Sequence, residues 1–219
     1  MSNEQLKNIL IVGAGGLAKE VASLIKDINH NNKQWNIIGY IDQNEEKIGK
    51  KLNGIPIVGT DNTIVNSQEK MSIVFGIGNQ SIRKKLYQKY KKNLFINYPN
   101  LTHPNVVRDK DNIILGLGNI VFAGNVITTS IKIGNFNTFY YSCTLSHDCI
   151  VGDYNQINPG VNISGNVIIG NEVLLGTGSQ ILQNISICSK SIVGAGAVVT
   201  KNLTEKGVYI GTPAKKISS

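Results

Sequence analysis

From Leu115 onward, every sixth residue of the chain is apolar. The series runs Leu115, Val121, Ile127, Ile133, Phe139, Leu145, Val151, Ile157, Ile163, Ile169, Leu175, Ile181, Ile187, Val193, Val199. So long a run does not arise by chance in a chain that is 41% hydrophobic. Two residues before a stop the side chain is small or medium, as at Cys143, Cys149, Val161, Val167, Val173, Ser179 and Ala197. Glycine follows the stop at Gly116, Gly134, Gly152 and Gly170, once in every three units. Three six-residue units make one turn of a triangular coil with flat faces, each stop pointing inward. The register predicts five coils stacked about 4.8 Å apart. It places those glycines at the corners, where the backbone needs dihedrals costly for other residues.

Ahead of the repeat the period is different. Residues 8–12 form a short apolar run that ends at Gly13-Ala14-Gly15-Gly16, and Leu17, Val21, Leu24, Ile25 and Ile28 then recur at helical spacing. A second strand is predicted from Trp35 to Ile41, ending on Asp42, and a third from Met71 to Phe75, meeting Gly76-Ile77-Gly78-Asn79. The segment Ser81–Lys92 reads as a helix and Leu94–Ile96 as a further strand. Strands alternating with helices predict a small parallel α/β sheet. The period changes near Pro99 and Pro104, so an α/β domain over 1–100 and a β-helix over 101–219 are expected.

Composition narrows the function classes. The chain has 219 residues and only 6% aromatics, against 23 glycines, which suits thin aliphatic layers. No window holds about 18 consecutive apolar residues, so no membrane insertion is expected. The start, Met1-Ser-Asn-Glu-Gln5, has no basic stretch before an apolar one, so no secretory leader is expected. Cys143, Cys149 and Cys188 lack metal-ligand spacing, so they read as buried small residues in a reducing cytoplasm, with no metal. The net charge is +8, with its densest cluster at Arg83, Lys84, Lys85, Lys89, Lys91 and Lys92. No nucleic-acid motif accompanies it. The cluster reads as a solvated helix face, or as an attractor of small polyanions such as nucleotide diphosphates and coenzyme A.

Two places carry candidate chemistry. Gly13-x-Gly15-x-x-Ala18 fits a dinucleotide fingerprint, with Asp42 ending the next strand. Such a turn brings backbone N–H groups and a helix N-terminus to phosphate, or it serves packing alone. Of the three histidines, His30 falls in a polar stretch after a helix and His103 precedes Pro104. His147 lies two residues after the inward Leu145, at an outward repeat position, and Asp148 follows it. A histidine beside a carboxylate is suited to general-base work near neutral pH, although an exposed histidine on a solenoid is often inert.

The repeat unit [Leu/Ile/Val]-Gly-x-x-[small]-x resembles that of the left-handed β-helix acyltransferases, and left-handedness is what that resemblance implies. The closing segments Ser191–Thr200 and Gly207–Lys216, with Gly211-Thr-Pro-Ala-Lys215, are similar to the family's last coil. The whole chain resembles the bacterial acetyltransferases of nucleotide-linked amino sugars, of bacillosamine and perosamine type, together with sialic acid O-acetyltransferases. The matching segments are Ile11–Gly16, Tyr40–Asp42, Phe75–Asn79 with Arg83, Ser146–Asp148 and the C-terminal motif.

The resemblance implies transfer of acetyl from acetyl-CoA to a nucleotide-linked amino sugar, by a homotrimer whose active sites are shared between subunits. It implies His147 as general base and Asp148 as its support. The nucleotide sugar would meet Gly13, Gly15, Gly16 and Asp42, with Gly78, Asn79 and Arg83 near phosphate. Gly165, Thr177 and Ala195 would offer backbone groups to the acetyl-pantetheine arm, with Pro213 and Lys215 at its nucleotide end. The family commonly has a second histidine where this chain has Gln156, whose amide can still donate a hydrogen bond to the thioester oxygen. O-acetylation of a sugar hydroxyl, or a non-catalytic nucleotide-sugar scaffold, are the competing functions.

Overall fold

The computed structural model describes residues 6–218. The segment on which the absence of a leader was read, Met1–Gln5, lies outside them. The chain divides into two compact units, Met1–Pro104 and Asn105–Ser219.

In the first unit, β1 (Lys7–Val12) is paired in parallel with β2 (Trp35–Ile41) on one side and β5 (Met71–Phe75) on the other. Strands β3 (Lys51–Leu52) and β4 (Ile55–Gly59) extend the sheet beyond β2, and β6 (Ile96–Asn97) extends it beyond β5. The order is β3-β4-β2-β1-β5-β6. Helix α1 (Gly16–Asn31) buries Ala18, Val21, Ala22, Leu24, Ile25 and Ile28, the stripe the sequence spacing predicts. It runs further than expected, so His30 belongs to its last turn and not to a loop. A short α2 (Asp61–Val65) follows β4, and α3 (Gln80–Tyr90) follows β5. Elements β3, β4 and α2 have no counterpart in the sequence reading. Pro56 lies inside β4, and a proline argues against a strand; here its neighbour on one side is only the two-residue β3.

The second unit is the parallel β-helix. Its first face stacks Val107–Arg108, Val126–Ile127, Thr144–Leu145, Asn162–Ile163, Gln180–Ile181 and Val198–Val199. The second stacks Ile113–Leu115, Ile131–Ile133, Ile150–Val151, Ile168–Ile169 and Ser186–Ile187. The third stacks Ile120–Val121, Thr138–Phe139, Gln156–Ile157, Leu174–Leu175, Ile192–Val193 and Val208–Ile210, against which Lys215–Ser218 pairs antiparallel. All stops from Val121 to Val199 are buried, with Leu115 partly so at the end of the stack. Cys143, Val161, Val167, Val173, Ser179 and Ala197 are buried between them.

The corners differ from the sequence expectation. Left-handed backbone falls at every sixth residue from Gly118 to Gly196, three positions after each stop. Gly116, Gly134, Gly152 and Gly170 are not among these positions. They are glycine because coils stack too closely for a side chain: a Cβ at Gly116 would lie 2.6 Å from the Gly134 carbonyl oxygen. The corners themselves accept Phe136, Tyr154, Glu172 and Lys190, all at positive φ. Each costs about 1–2 kcal/mol intrinsically, offset by the coil-to-coil hydrogen bond each corner amide donates, as from Tyr154 to the Asn135 carbonyl at 2.8 Å.

Those corners form three edges of distinct character. Ser130, Asp148, Asn166 and Asn184 line the edge between first and second faces. Gly118, Phe136, Tyr154, Glu172 and Lys190 line the edge between second and third. Gly124, Ser142, Gly160, Gly178 and Gly196 line the edge between third and first, which is nearly stripped of side chains.

Candidate active site

On the polar edge, Asp148 occupies a corner at φ 61°. Aspartate is among the few residues that tolerate this conformation. His147 precedes it, exposed, with Nδ1 2.8 Å from Asp148 Oδ2. A carboxylate accepts only, so Nδ1 carries the proton and Nε2 presents its lone pair outward. The imidazole lies across Gly165, one coil on. A Cβ there would come 2.6 Å from Cε1 and 2.7 Å from Nε2. Gly165 is itself buried, and its amide takes no part in the coil-to-coil hydrogen bonding. A base nitrogen and an unused N–H donor are therefore neighbours on one edge.

The other residues assigned to the acetyl donor lie elsewhere. Thr177 and Ala195 are exposed on the stripped edge, each one residue before a corner glycine, and their amides too are outside the ladder. A Cβ at Gly178 or Gly196 would meet nothing within 4 Å, so this edge faces open space. Gln156 sits on the third face and donates from Nε2 to Asn158 Oδ1 at 2.9 Å. Pro213 and Lys215 close the chain near the same edge, where the Ala214 amide donates to the Val198 carbonyl at 2.8 Å. The polar edge is opposite the third face of the prism. The structure thus brings His147, Asp148 and Gly165 together, and keeps Gln156, Thr177 and Ala195 away from them within one chain.

Neither internal cysteine is equipped as a nucleophile. Burial pushes the Cys143 thiol up to about 11, and Cys149 is raised by the same cause. At neutral pH both are thiols rather than the reactive thiolates. Cys143→Ala is expected to keep near-native turnover, and pre-incubation with iodoacetamide to leave the rate unchanged; a loss of activity that tracks Cys143 alkylation would contradict this. His103 Nε2 lies 3.6 Å from Asp27 Oδ2, an ion-pair position within the first unit.

The first unit carries a cleft of about 690 Å3 at the C-terminal ends of β1 and β2, lined by Gly13, Asp42, Gln43, Asp61, Ile77, Ile82, Lys85, Leu86 and Lys89 among others. Open parallel sheets bind ligands at this end, where the chain leaves a central strand in opposite directions. Gly13 has φ 107°, and a Cβ on it would lie 2.8 Å from the Gly76 carbonyl oxygen. Gly15 and Gly16 open α1 with nothing within 4 Å of a Cβ, leaving the helix N-terminus accessible. Asp42 accepts from the Asn44 amide and from Lys47 Nζ, both at 2.9 Å. Burial alone would raise its pKa, but these two donors hold it below the usual carboxylate value. Asp61 accepts from Lys89 Nζ at 2.8 Å and from the Tyr90 hydroxyl at 2.6 Å.

Three residues expected near phosphate have partners within the turn itself. Asn79 caps α3, its side chain accepting from the Ile82 amide at 3.0 Å. Arg83 is 1% exposed, and its Nη1 donates to the carbonyls of Ile77 and Gly78, both at 2.9 Å. Gly78, Asn79 and Arg83 thus build the turn beside the cleft, and none of them lines it. The cleft-lining Lys85 and Lys89 belong to the lysine run read as a solvated face or as an attractor of small polyanions. Their spacing from Ile82 and Leu86, on one helical stripe, was the available signal.

Residues 8–90 match the family model described as the PglD N-terminal domain. Over its whole length the chain is similar to solved acetyltransferases. With the acetyltransferase domain of PglB from Neisseria gonorrhoeae FA1090 it shares 29% identity at a TM-score of 0.88, covering 96% of this chain and 100% of that one. With PerB from Caulobacter crescentus, solved in complex with CoA and GDP-perosamine, it shares 27% at 0.87, covering 98% and 99%. WeeI from Acinetobacter baumannii AYE gives 28% at 0.85, covering 96% and 100%. No curated protein matched. The fold is that of the left-handed β-helix acetyltransferases. Within that class it is similar, over nearly its whole length, to the PglB acetyltransferase domain and to PerB. Among the described residues no cluster of His, Cys, Asp and Glu could hold a metal ion, and no helix is long and apolar enough to cross a membrane.

Proposed function

We propose that the chain transfers acetyl from acetyl-CoA to the amine of a nucleotide-linked amino-deoxy sugar. The carrying observation is the His147–Asp148 pair, with the imidazole packed against Gly165, whose amide is outside the ladder. Asp148 fixes the tautomer and supports the imidazolium that forms. His147 Nε2 takes a proton as the amine nitrogen attacks the thioester carbonyl. The Gly165 N–H donates to the developing oxyanion, the type of contact worth most in acyl transfer. The C–S bond then breaks, the CoA sulfur receives the proton, and the amide is released. No acyl-enzyme forms.

The stripped edge suits an extended acetyl-pantetheine arm, with Thr177 and Ala195 offering free amides and Gln156, Pro213 and Lys215 nearby. Because that edge and His147 are apart in one chain, the reading requires a second chain to complete each site. A homotrimer of prisms meets the requirement. The cleft at Gly13 and Asp42 takes the nucleotide; PerB was solved with GDP-perosamine.

The test is release of free CoA with a panel of uridine-, thymidine- and guanosine-diphosphate amino sugars, set against sialic acid as hydroxyl acceptor. An amine acceptor that turns over supports the reading. Turnover on hydroxyls alone makes the chain an O-acetyltransferase, and release with none of them leaves a binding scaffold. Asp42→Ala is expected to weaken nucleotide-sugar binding while sparing acetyl-CoA, as read by isothermal titration of each ligand.

A further inference from the structure

We propose that Lys85 is the cation that recognises the diphosphate of the nucleotide ligand, and that Arg83, two residues earlier on the same helix, is a positioning residue that never touches it. This rests on reading the cleft at Gly13 and Asp42 as the nucleotide-sugar site. The first observation is which face of α3 meets the cleft. Ile82, Lys85, Leu86 and Lys89 lie at i, i+3, i+4 and i+7 and all line it, so one helical stripe forms a wall of alternating apolar and cationic groups. Arg83 does not line it: it is buried, with Nη1 held by two carbonyls of the turn that follows β5.

The second observation is the charge balance. The cleft contains two carboxylates, and each already has its own ammonium. Lys47 is 2.9 Å from Asp42, and Lys89 is 2.8 Å from Asp61. The Tyr90 hydroxyl fills the second Asp61 oxygen. Among the described residues Lys85 makes no ion pair or hydrogen bond, and it is exposed. It is therefore the uncompensated positive charge in the cleft. An ammonium is a mobile point charge on a long stem, suited to phosphate oxygens whose position varies. Ile82 and Leu86 on either side give apolar surface for the nucleoside or sugar, so the wall reads charge and shape together.

The measurement is isothermal titration of uridine, thymidine and guanosine diphosphates, with the corresponding monophosphates, against the full chain at two salt concentrations. Wild type is expected to prefer a diphosphate, less so at high salt. Lys85→Gln should weaken the diphosphate by about ten- to a hundred-fold, the usual cost of a lost charged hydrogen bond, and the monophosphate much less. Its salt dependence should flatten. Lys91→Gln removes the same charge at the C-cap just past that helix, outside the cleft, and should change little. Arg83→Met should lower the melting temperature, while protein that remains folded keeps the diphosphate preference. An unchanged preference in Lys85→Gln, or an equal loss in Lys91→Gln, overturns the assignment while leaving the cleft a nucleotide site. Wild type that binds no nucleotide overturns both.

Discussion

Replacing His147 by alanine is expected to lower kcat by about 10²–10⁴, the contribution of a positioned general base, with little change in melting temperature. The stability side follows from the coil. The ladder is built from inward stops, corner amides and the aliphatic residues between them, and the His147 side chain is 63% exposed outside it. Its backbone carbonyl, which accepts from the Asn166 amide at 2.8 Å, is retained in the variant. Only the proposed proton acceptor is removed. His147→Asn should be nearly as impaired, because an amide has the shape but cannot take the proton. Asp148→Asn should lose less, since the imidazole keeps a neighbour able to accept from Nδ1 but loses the charge that supports the imidazolium. Steady-state kinetics with the amino-sugar acceptor and acetyl-CoA measure all three. Near-native turnover in His147→Ala would leave proximity and backbone hydrogen bonding as the only source of rate.

The repeat shows what the chain reveals about itself and what it conceals. The inward stops are legible because the ladder tolerates only aliphatic or aromatic side chains there, and Val121 to Val199 are buried as the period demands. The corners are not legible, because left-handed backbone is enforced by stacking and not by residue type. Phe136 and Glu172 hold it as firmly as Gly178 does. The glycines that stand out in the sequence, such as Gly134, answer to close approach between coils instead. In the first unit, the α1 stripe and the strand edges at Asp42 and Phe75 followed from period and turn chemistry. The part played by α3 did not. A run of six basic residues looks uniform in one dimension, yet the helix sends Arg83 into the interior and Lys85 to the cleft. Likewise His147 and Gln156 are nine positions apart in sequence, a spacing that looks like one site, but the triangular section sets them on opposite sides of the prism. That separation is what turns the expected shared site into a geometric requirement of the proposed mechanism.

Gly165 offers the second large effect, and a sharper one, because it acts on the base without changing it. A methyl group at this position would lie 2.6 Å from Cε1 of His147 and 2.7 Å from Nε2. Real contacts do not reach that distance, so the ring must move. It can do so cheaply, since among the described residues its one side-chain tie is the 2.8 Å contact from Nδ1 to Asp148, and the side chain is 63% exposed. Gly165 has no positive φ, so the backbone accepts alanine without strain. Folding should therefore survive, and the melting temperature should hold close to that of the parent. Catalysis should not. The nitrogen crowded by the methyl is the one proposed to take the proton, and the same methyl stands beside the amide proposed to meet the oxyanion. Misplacement of a catalytic group by about 1 Å costs on the order of 10² in rate, so Gly165→Ala is expected to lower kcat by about that factor. Nucleotide-sugar binding in the other unit should be untouched, as titration would show. The comparison that decides the matter is the double variant. If Gly165→Ala acts by displacing His147, adding it to His147→Ala should cost little more, because residues that work as one unit do not lose rate additively. A full further loss in the double variant would mean that Gly165 serves the acetyl donor independently of the histidine, through its own N–H.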